Sequence, residues 1–194
     1  IPIYTAPGWE ADDVLGTLAG QAEAQGVNVL IVTGDTDAHQ LVTEHVRVQN
    51  AGRSFRDAKV YTPADIHERY GLEERQLPDY KAILGDKSDN IPGVAGVGDK
   101  GATQLLQSYE TLEGVYEHLE DIKEGVRKKL EASRDEAFIS KKLATIETQV
   151  PEVHLDLAKS QMKEFDRGAL IQLFREFEFH SLVEKIPQSD GTME

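Results

Sequence analysis

Seven carboxylates stand in three short clusters: Glu10, Asp12 and Asp13 in Glu10-Ala11-Asp12-Asp13, Asp35 and Asp37 in Thr33-Gly34-Asp35-Thr36-Asp37, and Asp86 and Asp89 in Gly85-Asp86-Lys87-Ser88-Asp89-Asn90. Each cluster alone has a plain structural reading. Acids in the first turn of a helix suit its macrodipole, Asp37 is placed to cap the helix behind it, and Asp-Asn before Ile-Pro is good turn chemistry. Their combination points further, because six of the seven are Asp and all lie at ends of elements, none in the middle of a helix. Hard divalent cations take oxygen ligands, and Mg²⁺ commonly uses a few carboxylates together with waters and substrate phosphate. With no Cys and no close His pair, zinc is disfavoured and Mg²⁺ or Mn²⁺ favoured. Seven acids exceed the need of one ion, so the expectation is two ions about 3.5–4 Å apart, one activating a water and the other stabilising a leaving 3′ oxygen.

The second signal is Ile91-Pro92-Gly93-Val94-Ala95-Gly96-Val97-Gly98-Asp99-Lys100-Gly101-Ala102. Ile91 and Val94 read as apolar anchors before a Gly-Val-Gly turn, and a helix starts at once with Lys100 in its first turn and Leu105 and Leu106 facing a core. Glycines let backbone approach a ligand closely, and free amides at a helix start bind phosphate. This is a helix–hairpin–helix arrangement, with Gly93, Gly96, Gly98 and Lys100 as candidate DNA-binding residues gripping a duplex backbone without reading its sequence. A nucleotide-binding Gly loop fits poorly, because no strand leads into it and G-x-x-x-x-G-K-[ST] is missing. A plain tight turn remains the bland alternative.

The elements that must position these residues follow from periodicity. Val14, Leu15, Leu18, Ala19 and Ala22 have helical spacing, and Gly26 is placed to stop the helix. Val27 to Thr33 reads as a strand buried on both faces, as in parallel sheets. Then come a short helix (Asp37 to Val42), a strand at Val46 to Val48, a polar turn at Arg53 to Ala58, an edge strand at Lys59 to Tyr61 and a helix opened by Thr62-Pro63 and running toward Tyr70. That order is an α/β signature. After Gly85 the chain turns helical, with expected helices at Ala102 to Ser108, Leu112 to Leu119, Ile122 to Ala132 and Asp135 to Ile146. A short extended stretch at Val153 to Leu157 and an amphipathic helix from Asp166 through Phe177 close the pattern. The organisation is residues 1–85 as an α/β portion and residues 86–194 as a helical, helix–hairpin–helix subdomain.

The 194 residues carry 35 acidic against 21 basic side chains, a formal charge of −14. That balance is unusual for a nucleic-acid binder, and the clustering of the acids is what reconciles it with one. No apolar stretch approaches the roughly 20 residues of a bilayer span, and a cytoplasmic address is the default. The six histidines read as surface or helix-end residues, Arg127-Lys128-Lys129 as a solvated helix face, and Phe174, Phe177 and Phe179 as core.

Taken together, G-W-E-A-D-D, T-G-D-T-D-A-H-Q-L and G-D-K-S-D-N-I-P-G-V-A-G-V-G-D-K resemble the 5′ nuclease (5′-3′ exonuclease) domain of bacterial DNA polymerases I, within the flap-endonuclease family. The resemblance runs from Pro7 to about Lys185. It implies that residues 1–85 are the C-terminal part of a PIN-like nuclease core, and that the activity is that of a structure-specific nuclease that cuts 5′ flaps and 5′ ends. Two Mg²⁺, with Mn²⁺ as substitute, would be held by Glu10, Asp12, Asp13, Asp35, Asp37, Asp86 and Asp89, with Asp12, Asp35 and Asp86 central to catalysis. The implied partner is DNA bearing a 5′ flap or 5′ end on a duplex, bound by a monomer that a polymerase domain could follow. The family's domain begins with an Asp-bearing strand and a basic arch that have no counterpart here, so the chain reads as a piece of a longer protein with weak or no activity alone. Its hairpin has Gly101 where related hairpins often carry Thr. The alternatives are a non-catalytic duplex-binding module and an RNase with a related acidic site.

Overall fold

The computed structural model describes residues 2–50, 58–162 and 164–187. The polar turn expected at residues 53–58 lies almost wholly outside the described residues. Ile3–Leu155 forms one compact unit, and a second takes the chain from Asp156 on. The change of character near residue 85 falls inside the first unit.

Helix α1 (Ala11–Ala24) buries Val14, Ala19 and Ala22, and ends where Gly26 takes φ of 74°. Strand β1 (Val29–Thr33) pairs in parallel with β2 (Val46–Asn50), and β3 (Lys59–Tyr61) adds antiparallel to β2, giving a mixed sheet of order β1-β2-β3. A single-turn 3₁₀ helix at Asp37–Leu41 connects β1 to β2, and α2 (Pro63–Tyr70) returns behind a capping box of Thr62 and Asp65. The core here is Ala19, Ile31, Ala38, Val42, Val46, Val48, Tyr61, Ile66 and Leu77.

One expectation fails in β1. Ile31 is buried, but Leu30 and Val32 are 51% and 64% exposed. A strand alternates its side chains between faces, and helices cover only the Ile31 face among the described residues. An apolar run therefore shows what a strand is built from, not how many of its faces are covered.

The helical half begins with α3 (Leu77–Leu84), which sequence reading did not mark, followed by α4 (Asp99–Tyr109), α5 (Leu112–Glu117), α6 (Glu124–Ala132) and α7 (Arg134–Ala144). Helix α3 packs against both α7 and α4. Ile83, Leu106, Leu112, Val115, Leu130 and Ala137 centre a second core.

Past α7 the chain returns along α1. Ile146 and Thr148 methyls lie 3.0 and 3.3 Å from where a Cβ at Gly16 would stand, so the small residue permits the crossing. Gln40 donates to the Ala144 carbonyl (2.9 Å) and accepts from the Ile146 amide (3.0 Å), Thr17 Oγ1 accepts from the Val150 amide (3.0 Å), and Gln21 bonds both Val153 and Leu155 backbone at 2.7 Å. Val14, Val150 and Val153 bury the seam.

Of the stretch expected as extended at Val153 to Leu157, residues 153–156 form no regular element, and the second unit opens with a short helix α8 (Leu157–Ser160), capped by Asp156. Helix α9 (Arg167–Glu176) starts from an Asp166 cap, and α10 (His180–Val183) follows. Phe177 and Phe179 stack at 5.9 Å but are 56% and 49% exposed, so these rings are a surface cluster and not core.

Candidate metal centre and nucleic-acid interface

The loop after β1 is shaped by its own short side chains and by the neighbouring strand. The Asp35 amide donates to Thr33 Oγ1 (3.1 Å), and the Asp37 amide donates to Asp35 Oδ1 (2.9 Å). Asn50, at the end of β2, donates from Nδ2 to the carbonyls of Thr33 (3.3 Å) and Asp35 (3.2 Å). Its Oδ1 accepts from His39 Nε2 (2.5 Å), which leaves Nδ1 of the neutral ring to accept from the Tyr70 hydroxyl (3.0 Å). His39 is thus fully buried, against expectation, and burial holds its pKa below the ordinary value. The available signal was its company, since Ala38 and Val42 are fully buried as well. The tight 3₁₀ turn that swings His39 inward with them carries no mark in the sequence.

Asp86 opens the loop between α3 and α4. Its backbone closes a two-bond bridge with Ile91, Asp86 N to Ile91 O at 2.9 Å and Ile91 N to Asp86 O at 2.7 Å. Its Oδ1 accepts from the Ser88 amide (2.9 Å) and hydroxyl. Asp37, Asp86 and Asp89 then meet, with one oxygen from each all within 4.8 Å of one another. Into this triangle α3 delivers Lys81, whose Nζ pairs closely with Asp37, lies 2.8 Å from Asp86 and 3.7 Å from Asp89. Lys81 and Ser88 hold Asp86 down at about 2, whereas burial pushes Asp37 up to about 6 against the pull of the same ammonium. Burial pulls Lys81 down, but Asp37 and Asp86 outweigh it and keep the ammonium above its usual range. Three hard oxygen donors around a seated cation are the donor set that Mg²⁺ or Mn²⁺ takes.

The α1 acids divide. The Glu10 amide donates to Asp13 Oδ2 (3.0 Å), and Asp13 Oδ1 accepts from the Glu147 amide (2.8 Å), so Asp13 ties the helix start to the returning chain. Asp12 is pushed upward, first by burial and then by Asp35, Glu10, Asp13 and Asp89. Among the described residues, ligand atoms come together only from Asp37, Asp86 and Asp89, so Glu10, Asp12, Asp13 and Asp35 stand outside that group, and Asp12 is linked to it only through the charge of Asp89.

The hairpin continues directly from Asp89. Ile91 and Val94 are buried anchors as expected. The left-handed glycines are Gly85, Gly93 and Gly96, with φ of 80°, 64° and 79°, and a Cβ on Gly93 would stand 2.3 Å from the Gly85 nitrogen. Gly98 is different, an extended residue (φ −100°) at the N-cap of α4 with open space where a side chain would go. Lys100 sits in the first turn of α4. In the expected solvated face, Arg127 pairs with Glu120 and Lys128 with Glu124, both at 2.6 Å, but Lys129 reaches across to the Gly96 carbonyl at 2.7 Å.

Residues 1–71 match the sequence profile described as 5′-3′ exonuclease, N-terminal resolvase-like domain, and residues 72–168 match 5′-3′ exonuclease, C-terminal SAM fold. This chain belongs to the 5′-3′ exonuclease family. Among curated relatives, DNA polymerase I of Caldicellulosiruptor bescii is 41% identical over 98% of this chain, and that of Chloroflexus aurantiacus is 44% identical over 96%. The chain spans 22% and 20% of those two proteins. A T5 5′-exonuclease superposes with a TM-score of 0.67 at 27% identity, covering 76% of this chain and 60% of the other. Further T5 structures carry zinc ions (TM-score 0.65) or show a flap endonuclease with DNA and metal ions (TM-score 0.67). In the exonuclease family's terms, β1 to β3 and the α3–α7 helices are the resolvase-like and SAM-like parts. No described helix is long and apolar enough to cross a membrane.

Proposed function

We propose that this chain is the nuclease part of a structure-specific 5′-3′ exonuclease and flap endonuclease, hydrolysing DNA phosphodiesters with two divalent ions in replication and repair. Mg²⁺ is the ordinary ion and Mn²⁺ a substitute. The observation that carries the reading is a continuity of chain: Asp86 and Asp89 join Asp37 in a 4.8 Å cluster, and the same loop runs on into the Gly93–Lys100 hairpin. Support comes also from the T5 relatives, which bind DNA and metal ions at a comparable fold.

Divalent ions held by such carboxylates acidify a bound water and stabilise a departing 3′ oxygen. The chain's own residues do the placing. In this reading Asp37, Asp86 and Asp89 would hold one ion, and Glu10, Asp12 and Asp35 would be left to serve the other, with Asp13 supporting the helix start. Ser88 and the Asp86–Ile91 bridge fix the Asp86 carboxylate in direction. The α4 amides and Lys100 hold duplex phosphates without reading bases. Residues 1–85 thereby supply most ligands and residues 86–194 the grip, on DNA with a 5′ flap or 5′ end, in a monomer that forms part of a polymerase.

The test is cleavage of one 5′-flap substrate in Mg²⁺, beside binding of the same substrate in Ca²⁺. Asp86→Asn should lower single-turnover cleavage by at least about 10²-fold with little change in binding, because a misplaced ligand costs geometry more than contact. Duplex binding with no Mg²⁺-dependent cleavage, by this chain and by a version extended upstream alike, would instead make this a non-catalytic duplex-binding module.

A further inference from the structure

The unexpected occupant of the acidic cluster is Lys81. Its side chain is only 15% exposed, and its ammonium reaches all three carboxylates of the Asp37, Asp86 and Asp89 group. Those three oxygens define the space that a divalent ion would need. A lysine ammonium and a bare divalent ion cannot both sit among oxygens confined within 4.8 Å, because the two cations would repel at contact distance.

We infer that Lys81 is a tethered counter-cation that closes the Asp37–Asp86–Asp89 site in the metal-free protein and must withdraw for a divalent ion to enter. The inference rests on the metal site proposed above, and gives it a regulated affinity. In the free state the ammonium relieves repulsion among three acids and so keeps the loop formed. The cost falls on ion binding, since two charge-assisted hydrogen bonds, to Asp37 and Asp86, must break first. The structure leaves somewhere for the side chain to go. A pocket of about 190 Å³, lined by Thr36, Arg69, Tyr70, Tyr80, Lys81 and Leu84 among others, adjoins Asp86 and gives room to the stem, while its Arg69 guanidinium opposes deep entry of the ammonium. Lys81 rides on α3, whose backbone is held by both cores, so the four-carbon stem can move while the helix stays. Lys81 is therefore a positioning residue, acting on the ion through the acids. A purely structural lysine would weaken ion binding when removed, and this one strengthens it.

Two measurements on the whole chain decide the matter. Mn²⁺ titrations by calorimetry should show Lys81→Met and Lys81→Gln binding on the order of tenfold tighter than the parent, the release expected when charged hydrogen bonds no longer compete. Lys81→Arg, which keeps the cation, should show no such gain. Independently of any variant's folding, acylation of Lys81 in the parent protein, followed by mass spectrometry, should speed up several-fold when saturating Mg²⁺ replaces EDTA, with Lys128 as the unchanging reference. Equal or weaker Mn²⁺ binding by both folded neutral variants overturns the inference, as does a Lys81 acylation rate that Mg²⁺ leaves unchanged. If the parent and both neutral variants bind no Mn²⁺ at all, the metal-site reading itself falls, and this inference with it.

Discussion

At the scale of single residues, the site is held by groups that bear no catalytic chemistry. His39 is neutral, donating to Asn50 and accepting from Tyr70, and Asn50 in turn fixes the Asp35 backbone. Its folded pKa is depressed, so the unfolded chain takes up a proton first as pH falls. The stability that the neutral ring contributes is present above about 6.5 and is lost as pH drops toward the lower folded value. Melting temperatures between about pH 8 and pH 5 should therefore fall more steeply below 6.5 in the parent than in His39→Gln, and identical slopes would rule the linkage out. The hairpin glycines give a sharper contrast. Gly93→Ala forces a Cβ to within 2.3 Å of the Gly85 nitrogen at φ of 64°, and should cost at least about 2 kcal/mol in denaturant melts. Gly98→Ala meets open space at an extended φ, and should leave stability within about 0.5 kcal/mol. Any loss of duplex affinity in Gly98→Ala would then report backbone approaching phosphate, with stability as the control.

At the scale of elements, α1 shows what the acids demand of their support. Gly20 sits exposed in its interior, and nothing beyond the helix's own backbone lies within 4 Å of where a Cβ would stand, so Gly20→Ala should stabilise the protein by about 0.5–1 kcal/mol. A drop in melting temperature would mean that α1 needs that glycine for something other than its own helix. The sequence made α1, β2, β3, α2 and α4 legible because each carries both a periodic apolar face and a stop or start signal, such as Gly26 or Thr62-Pro63. Helix α3 escaped notice because Leu77-Pro78 looks like a loop, although proline is acceptable in a first turn, where no amide partner is needed. Missing α3 meant missing Lys81, since only a helix running from Leu77 to Leu84 brings that ammonium to Asp37, 44 residues earlier. The acids themselves were visible from type and spacing. The polar shell of His39, Asn50 and Lys81 was not, because it depends on which strand and helix ends meet.

At the scale of the whole molecule, the net charge of −14 sets two opposite responses to salt. Folded-state self-repulsion is screened as ionic strength rises, so the melting temperature in metal-free buffer should increase from low to moderate salt. The duplex binding proposed above would rest on counterions displaced by Lys100 and its neighbours, and should weaken over the same range. Lys100→Ala should lower the slope of log affinity against log salt by roughly one unit, equally for unrelated sequences, and a slope unchanged by that substitution would remove Lys100 from the phosphate contacts.

The returning segment has a consequence for biosynthesis. Asp13 takes its bond from Glu147, and Gln21 is bonded by Leu155, 134 positions later in each case. A ribosome adding about 5–20 residues per second needs on the order of ten seconds to make that span. Throughout that interval the acid-bearing end of α1 waits without its outer fastening, because contacts so distant in sequence close last. The acidic cluster is thus framed by some of the latest-made residues of its own unit, and a nascent chain stalled before Leu155 carries the clustered acids without the returning segment that ties down the start of α1.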